Sequence, residues 1–138
     1  MNLNLHHVGV TVKEIPEAAA LYLRLGYEPR TGIIHDPEET AYVQFLRLPG
    51  DRAYLELIAP DRQDSKLSGA LKRGGGLNHL CFATEDIETA CERLCAEGFF
   101  LISSPVSAVA FHGRRIAWLM GPDRVLTELV ESGPEGEP

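Results

Sequence analysis

Shifting the 138-residue chain against itself by 72 positions, without a gap, brings like residues together along a whole module. His7 falls on His79, Glu56 on Glu128, Ile15 on Ile87, Ala18 on Ala90, Gly26 on Gly98 and Tyr27 on Phe99. The set Asp51, Arg52, Glu56, Leu57 falls on Asp123, Arg124, Glu128, Leu129. No single match is informative, but unrelated segments do not keep one offset over such a length. The chain is therefore one supersecondary unit used twice.

Each copy reads as β-α-β-β-β. Residues 5–12 alternate and are rich in β-branched side chains, which is strand patterning. Residues 13–25 carry Ile15, Ala18, Ala19, Tyr22 and Leu25 at helical spacing, with Pro16 in the first turn and Gly26 past the end. A weaker strand is expected near residues 27–34. Residues 41–48 and 53–58 form a hairpin around Pro49-Gly50-Asp51-Arg52. The second copy repeats this with strand 77–84, helix 86–97 capped by Glu85 or Asp86, and strands near 99–103, 114–120 and 124–130. The module bounds are 3–60 and 75–131, joined by a linker over 61–74 in which residues 65–72 form a short helix. The Gly- and Pro-rich tail, 132–138, reads as disordered.

Composition narrows the function. A net charge of −7 repels phosphate, so nucleic acid and anionic membrane are poor partners. No apolar run approaches the roughly 20 residues of a membrane span, and the N-terminus has no signal-peptide pattern, so a cytoplasmic location is expected. The three cysteines, Cys81, Cys91 and Cys95, read as free thiols packed in or near the core.

The repeated His and Glu carry the chemistry. A lone strand His is usually structural, and a lone strand Glu usually meets solvent. Glu56, however, shares its face with Tyr54 and Ile58, and Glu128 sits between Thr127 and Leu129. A carboxylate inside an apolar strand is costly unless it is paired or metal-bound. Two such carboxylates and two imidazoles at equivalent positions can meet at one divalent ion: His7, Glu56, His79 and Glu128. Nitrogen and oxygen donors of this kind suit zinc, nickel, cobalt, manganese or iron(II). The plainer alternative is that each His only hydrogen-bonds a Glu.

Paired modules with His, Glu, His, Glu resemble the vicinal oxygen chelate superfamily, which includes glyoxalase I, methylmalonyl-CoA epimerases, extradiol dioxygenases, and fosfomycin-modifying and bleomycin-binding proteins. The resemblance spans residues 3–131. Leu5-His-His-Val-Gly-Val-Thr-Val12 is similar to the opening strand of many members, and Leu55-Glu56-Leu57-Ile-Ala-Pro60 to the strand ending the first module. Within the superfamily the epimerases are nearest, through the linker from Asp64 to His79 and the segment Phe111-His-Gly-Arg-Arg-Ile-Ala-Trp-Leu119. The resemblance implies an α+β glyoxalase-like fold, two βαβββ modules forming a cupped mixed sheet with helices outside. It also implies the four metal ligands named above, a small-molecule substrate such as an acyl-CoA or other thioester, and a homodimer.

The implied reaction is proton transfer beside a carbonyl, epimerase-like or glyoxalase I-like, with Glu128 or Glu56 as base. Some epimerases carry a second catalytic carboxylate on the third strand; that position aligns with Gln44, which cannot take a proton but can orient a substrate oxygen. Arg114, Arg115, Lys66, Lys72 and Arg73 either face a substrate phosphate or are ordinary solvated charge. His35 and His112 read as loop residues, and the face taken by Trp118 is open. The alternatives are an iron-dependent extradiol-type dioxygenase, which the fourth ligand disfavours, a non-catalytic small-molecule binding protein of the same fold, and, ranked lower, a thiol transferase acting on an antibiotic.

Overall fold

The computed structural model describes residues 2–138, and contacts divide the chain into two compact units. One unit comprises residues 7–78; the other comprises 79–137 together with the residues before His7. The first sequence module, whose β1 crosses the division at His7, runs β1 (Asn4–Thr11), α1 (Ile15–Arg24), β2 (Glu28–Pro29), β3 (Ile34–Asp36), β4 (Ala41–Arg47), β5 (Tyr54–Pro60) and α2 (Ser68–Lys72). The second runs β6 (Gly76–Thr84), α3 (Ile87–Ala96), β7 (Phe100–Ser107), β8 (Arg115–Met120) and β9 (Leu126–Glu131), with a 3-10 turn at Val109–Phe111.

Each unit is a mixed sheet covered on one face by its helix, so the fold is α+β. In the first unit the strand order is β2-β4-β5-β1, with β3 also paired to β4. Only β1 and β5 run parallel; the β4 pairings are antiparallel. The second unit has order β6-β9-β8-β7, with β6 and β9 parallel. Gly9 pairs with Glu56 and Cys81 with Glu128, so the duplicated strands keep one register. Leu55 and Leu57 face α1 and pack with Val10, Ile15, Ala19 and Leu46. In the second unit Leu129, Ala117 and Leu119 pack against Ile87, Ala90, Cys91 and Leu94 of α3.

The helix ends show why the repeat holds locally. After α1, Gly26 adopts φ 103°, and after α3, Gly98 adopts φ 97°, the left-handed conformation that glycine tolerates best. The N–H of Gly26 donates to Leu23 C=O and that of Tyr27 to Tyr22 C=O, at 3.1 and 3.2 Å. Gly98 and Phe99 donate equivalently to Cys95 and Leu94, at 3.1 and 3.0 Å. Both helices thus end in the same Schellman closure. Their starts differ. Asp86 caps α3 by accepting the Thr89 N–H, whereas the equivalent Glu14 makes no side-chain cap, and α1, which starts at Ile15, carries Pro16 in its first turn instead. The longer Glu side chain is the weaker cap.

Two expectations change. The strand near 27–34 is two short pieces, β2 and β3. Between them the Thr31 hydroxyl accepts the Phe45 N–H and the Gln44 amide donates to Thr31 C=O, so side chains replace the ladder there. The tail read as disordered carries a turn, with Glu137 N–H donating to Pro134 C=O at 3.2 Å, and Pro138 is buried. Gly136 at φ 85° fits the third position of a type II turn, so the Gly and Pro there are turn chemistry.

Arg115 of β8 binds Glu88 of α3 and Glu131 of β9, its Nη2 lying 2.9 Å from Glu131 Oε2. These hydrogen bonds hold both carboxyls below the ordinary glutamate value, and the Thr89 N–H does the same for Asp86. A carboxyl with a depressed folded pKa contributes stability above its unfolded value, and loses it as pH falls through the folded one. Melting temperature therefore declines on acidification below about pH 4.5, the ordinary glutamate value. Glu131→Gln flattens that decline in a pH series of thermal melts.

Candidate metal centre

Strand alternation decides which side chains can work together. On β5, Leu55 and Leu57 point to the helix, so Glu56 points to the other face. On β1, Val10 points to the helix, which puts His7 on the Glu56 face. His7 Nε2 lies 3.2 Å from Glu56 Oε1. Glycine at position 9, abreast of Glu56, leaves room beside the carboxylate. Phe45 of β4 pairs with Glu56 and sets its ring edge-on to His7, centroids 5.4 Å apart.

The second unit repeats the trio. His79 Nε2 lies 3.5 Å from Glu128 Oε1, and Cys81, a small residue, is abreast of Glu128. Trp118 of β8 pairs with Glu128 and meets His79 edge-on at 4.8 Å. Trp118 therefore faces His79 and Glu128. Phe45 and Trp118 are counterparts, although the 72-residue shift sets Phe45 on Ala117. The second hairpin is one residue shorter, with residues 121–125 between its strands against 48–53 in the first.

His7, Glu56, His79 and Glu128 are all buried. Each unit thus holds an imidazole and a carboxylate within reach of one another, away from bulk water. An imidazole nitrogen and a carboxylate oxygen so placed can share a proton or face a common cation.

Gln44 is not part of this arrangement. It pairs with Leu57, so it lies on the helix-side face, and its Nε2 donates to Thr31 C=O at 3.0 Å. The hairpin register places Gln44 on the opposite face of the sheet from Glu56. Gln44→Met is expected to leave kcat unchanged and to cost about 0.5–1.5 kcal/mol of stability for the lost hydrogen bond. Steady-state kinetics and urea melts check this together.

Two arginines are also reassigned. Arg114 donates to the carbonyls of Phe111 and Glu131, and Arg115 is held by Glu88 and Glu131. Both are thus tied within the protein, Arg114 by backbone carbonyls and Arg115 by two carboxylates. Lys66 donates to Glu38 C=O at 2.6 Å. His35 lies on β3, with Nε2 2.8 Å from Asp61 Oδ2, and not in a loop.

Comparison with known proteins agrees with this architecture. The family model for the glyoxalase/bleomycin resistance protein/dioxygenase superfamily matches residues 6–118. The chain belongs to that superfamily. An ethylmalonyl-CoA/methylmalonyl-CoA epimerase of Cereibacter sphaeroides is 32% identical over 123 residues, 86% of this chain and 89% of the relative. The human mitochondrial methylmalonyl-CoA epimerase is 28% identical, over 93% of this chain and 73% of its own. The crystal structure of methylmalonyl-CoA epimerase from Mycobacterium tuberculosis superposes with a TM-score of 0.81 at 29% identity, covering 94% of this chain and 88% of that one. The α+β glyoxalase-like fold that the resemblance implies is the one observed. No helix among the described residues is long and apolar enough to cross a membrane.

Proposed function

We propose that this glyoxalase-superfamily protein is an epimerase of a 2-alkylmalonyl thioester, methylmalonyl-CoA or a near homologue, with one divalent metal ion held by His7, Glu56, His79 and Glu128. The observation that carries this reading is that a buried His–Glu pair occurs twice in one register. The relatives named above support the substrate class. The donor set fits such an ion. His7, Glu56, His79 and Glu128 are 0, 5, 4 and 3% exposed, and a carboxylate so far from water is costly without a nearby cation. When bound, the ion supplies polarisation of a carbonyl and stabilisation of enolate charge.

The protein's own part is proton transfer and enclosure. The Glu128 carboxylate takes the proton from the α-carbon, and the C–H electron pair moves into the enolate conjugated with the thioester carbonyl. Delivery of a proton from solvent water to the opposite face of that carbon gives the other epimer, and Glu128 then releases its proton to solvent. Glu128 is assigned the role of base, with Glu56 the alternative, since each carboxylate lies beside a buried histidine of its own unit, at 3.5 and 3.2 Å. Phe45 and Trp118 pack edge-on against the two imidazoles and limit their rotation.

The test is deuterium uptake at the α-carbon of (2R)- and (2S)-methylmalonyl-CoA in D2O, with and without chelator. Uptake by both epimers, lost with chelator and restored by added metal, is expected. Absence of uptake overturns the epimerase reading, and uptake indifferent to chelator removes the metal from it.

A further inference from the structure

Phe45 and Trp118 occupy the same place in the two copies. Each is the cross-strand partner of the glutamate and lies edge-on to the histidine. Phe45 shows that an apolar ring is enough to wall the pair. Trp118 adds one thing that packing does not need, an indole N–H. Its Nε1 is shut off from solvent and has no hydrogen-bond partner among the described residues. A buried donor left without an acceptor is destabilising, and native proteins seldom keep one unless a ligand or water completes it.

We propose that the Trp118 N–H donates a hydrogen bond to an acyl oxygen of the bound substrate, making Trp118 a substrate-binding residue that orients the thioester against Glu128. The placement fits. Trp118 is only half-buried although its Nε1 is enclosed, and χ2 of an indole has broad freedom, so a small turn of the ring presents the N–H to a ligand oxygen. The face is the one that carries His79 and Glu128. Indole is a donor only, so it selects an acceptor, and a substrate of this class offers thioester and carboxylate oxygens. A site built to satisfy such a donor discriminates against analogues without the oxygen. This inference rests on the epimerase reading for the identity of the substrate.

The chain has a single tryptophan, so its spectroscopic signals come from this ring alone. The experiment records the ultraviolet resonance Raman band that reports indole N–H hydrogen bonding, in Co2+-supplemented protein, before and after adding methylmalonyl-CoA. The band is expected to move from a weakly bonded to a bonded position on addition. Trp118→Phe, which keeps a ring and removes the donor, is expected to lower kcat/KM by roughly tenfold to a hundredfold while metal content stays unchanged. A band that does not move, including one already at the bonded position through water, overturns the proposal. So does Trp118→Phe with unchanged kcat and KM. Wild-type protein that takes up no deuterium overturns the epimerase reading instead. The Raman shift needs binding and not turnover, so it decides the role of Trp118 in that case too.

Discussion

Glu128→Gln lowers kcat for methylmalonyl-CoA epimerisation by about 10²–10⁴-fold, the usual worth of a positioned general base. The amide matches the carboxylate in shape, and residue 128 lies between Cys81 and Trp118 in a fully paired strand, so the fold is expected to survive. What is lost is the capacity to accept a proton, together with one anionic metal donor. Metal content and deuterium uptake, measured on the same preparation, separate the two. If the Glu128→Gln variant keeps its ion but exchanges no α-proton, Glu128 is identified as the base. Full exchange in Glu128→Gln transfers that role to Glu56, and Glu56→Gln then shows the loss. Glu131→Gln is the control, because that carboxylate serves an ion pair with Arg115 at the strand end.

Leu57→Ala is the substitution expected to cost most stability, about 2–5 kcal/mol. Leu57 is 0% exposed and sits among Ile15, Ala19, Leu46 and Leu55, under α1. The residues beside it come from a helix and from strands held by sheet hydrogen bonds, so the vacated volume has little that can close into it. Its counterpart Leu129 is equally buried beneath α3, and Leu129→Ala is expected to cost a similar amount. Urea melts with a lowered midpoint and an unchanged slope check both. A loss below about 1 kcal/mol would show that the core relaxes into the gap.

The module order and the four His and Glu positions are legible in the sequence because they follow from local patterning and a single offset; which histidine meets which glutamate is set by strand pairing. Helix spacing, the glycines after both helices and the glutamates inside apolar strands are each visible in a short window. Gln44, Trp118 and the arginines depend on longer-range facts. Which face a residue of β4 takes is set by the length of the hairpin loop, and one residue more or fewer reverses it. The sequence bounds that loop only to within a residue or two, so the face of Gln44, opposite to that of Glu56, is not legible in it. The kinship of Phe45 and Trp118 is hidden for the same reason. Arg115 reads as a solvated or phosphate-facing charge because its two carboxylate partners, Glu88 and Glu131, are 27 and 16 positions away in the chain.

The unequal hairpins also bear on how the two halves are to be aligned. The glutamates match at an offset of 72, but their aromatic neighbours on the preceding strand, Phe45 and Trp118, match at 73. A gapless alignment of the halves therefore sets every residue of β4 one place away from its spatial counterpart on β8, and a gap of one residue in the hairpin loop restores the match.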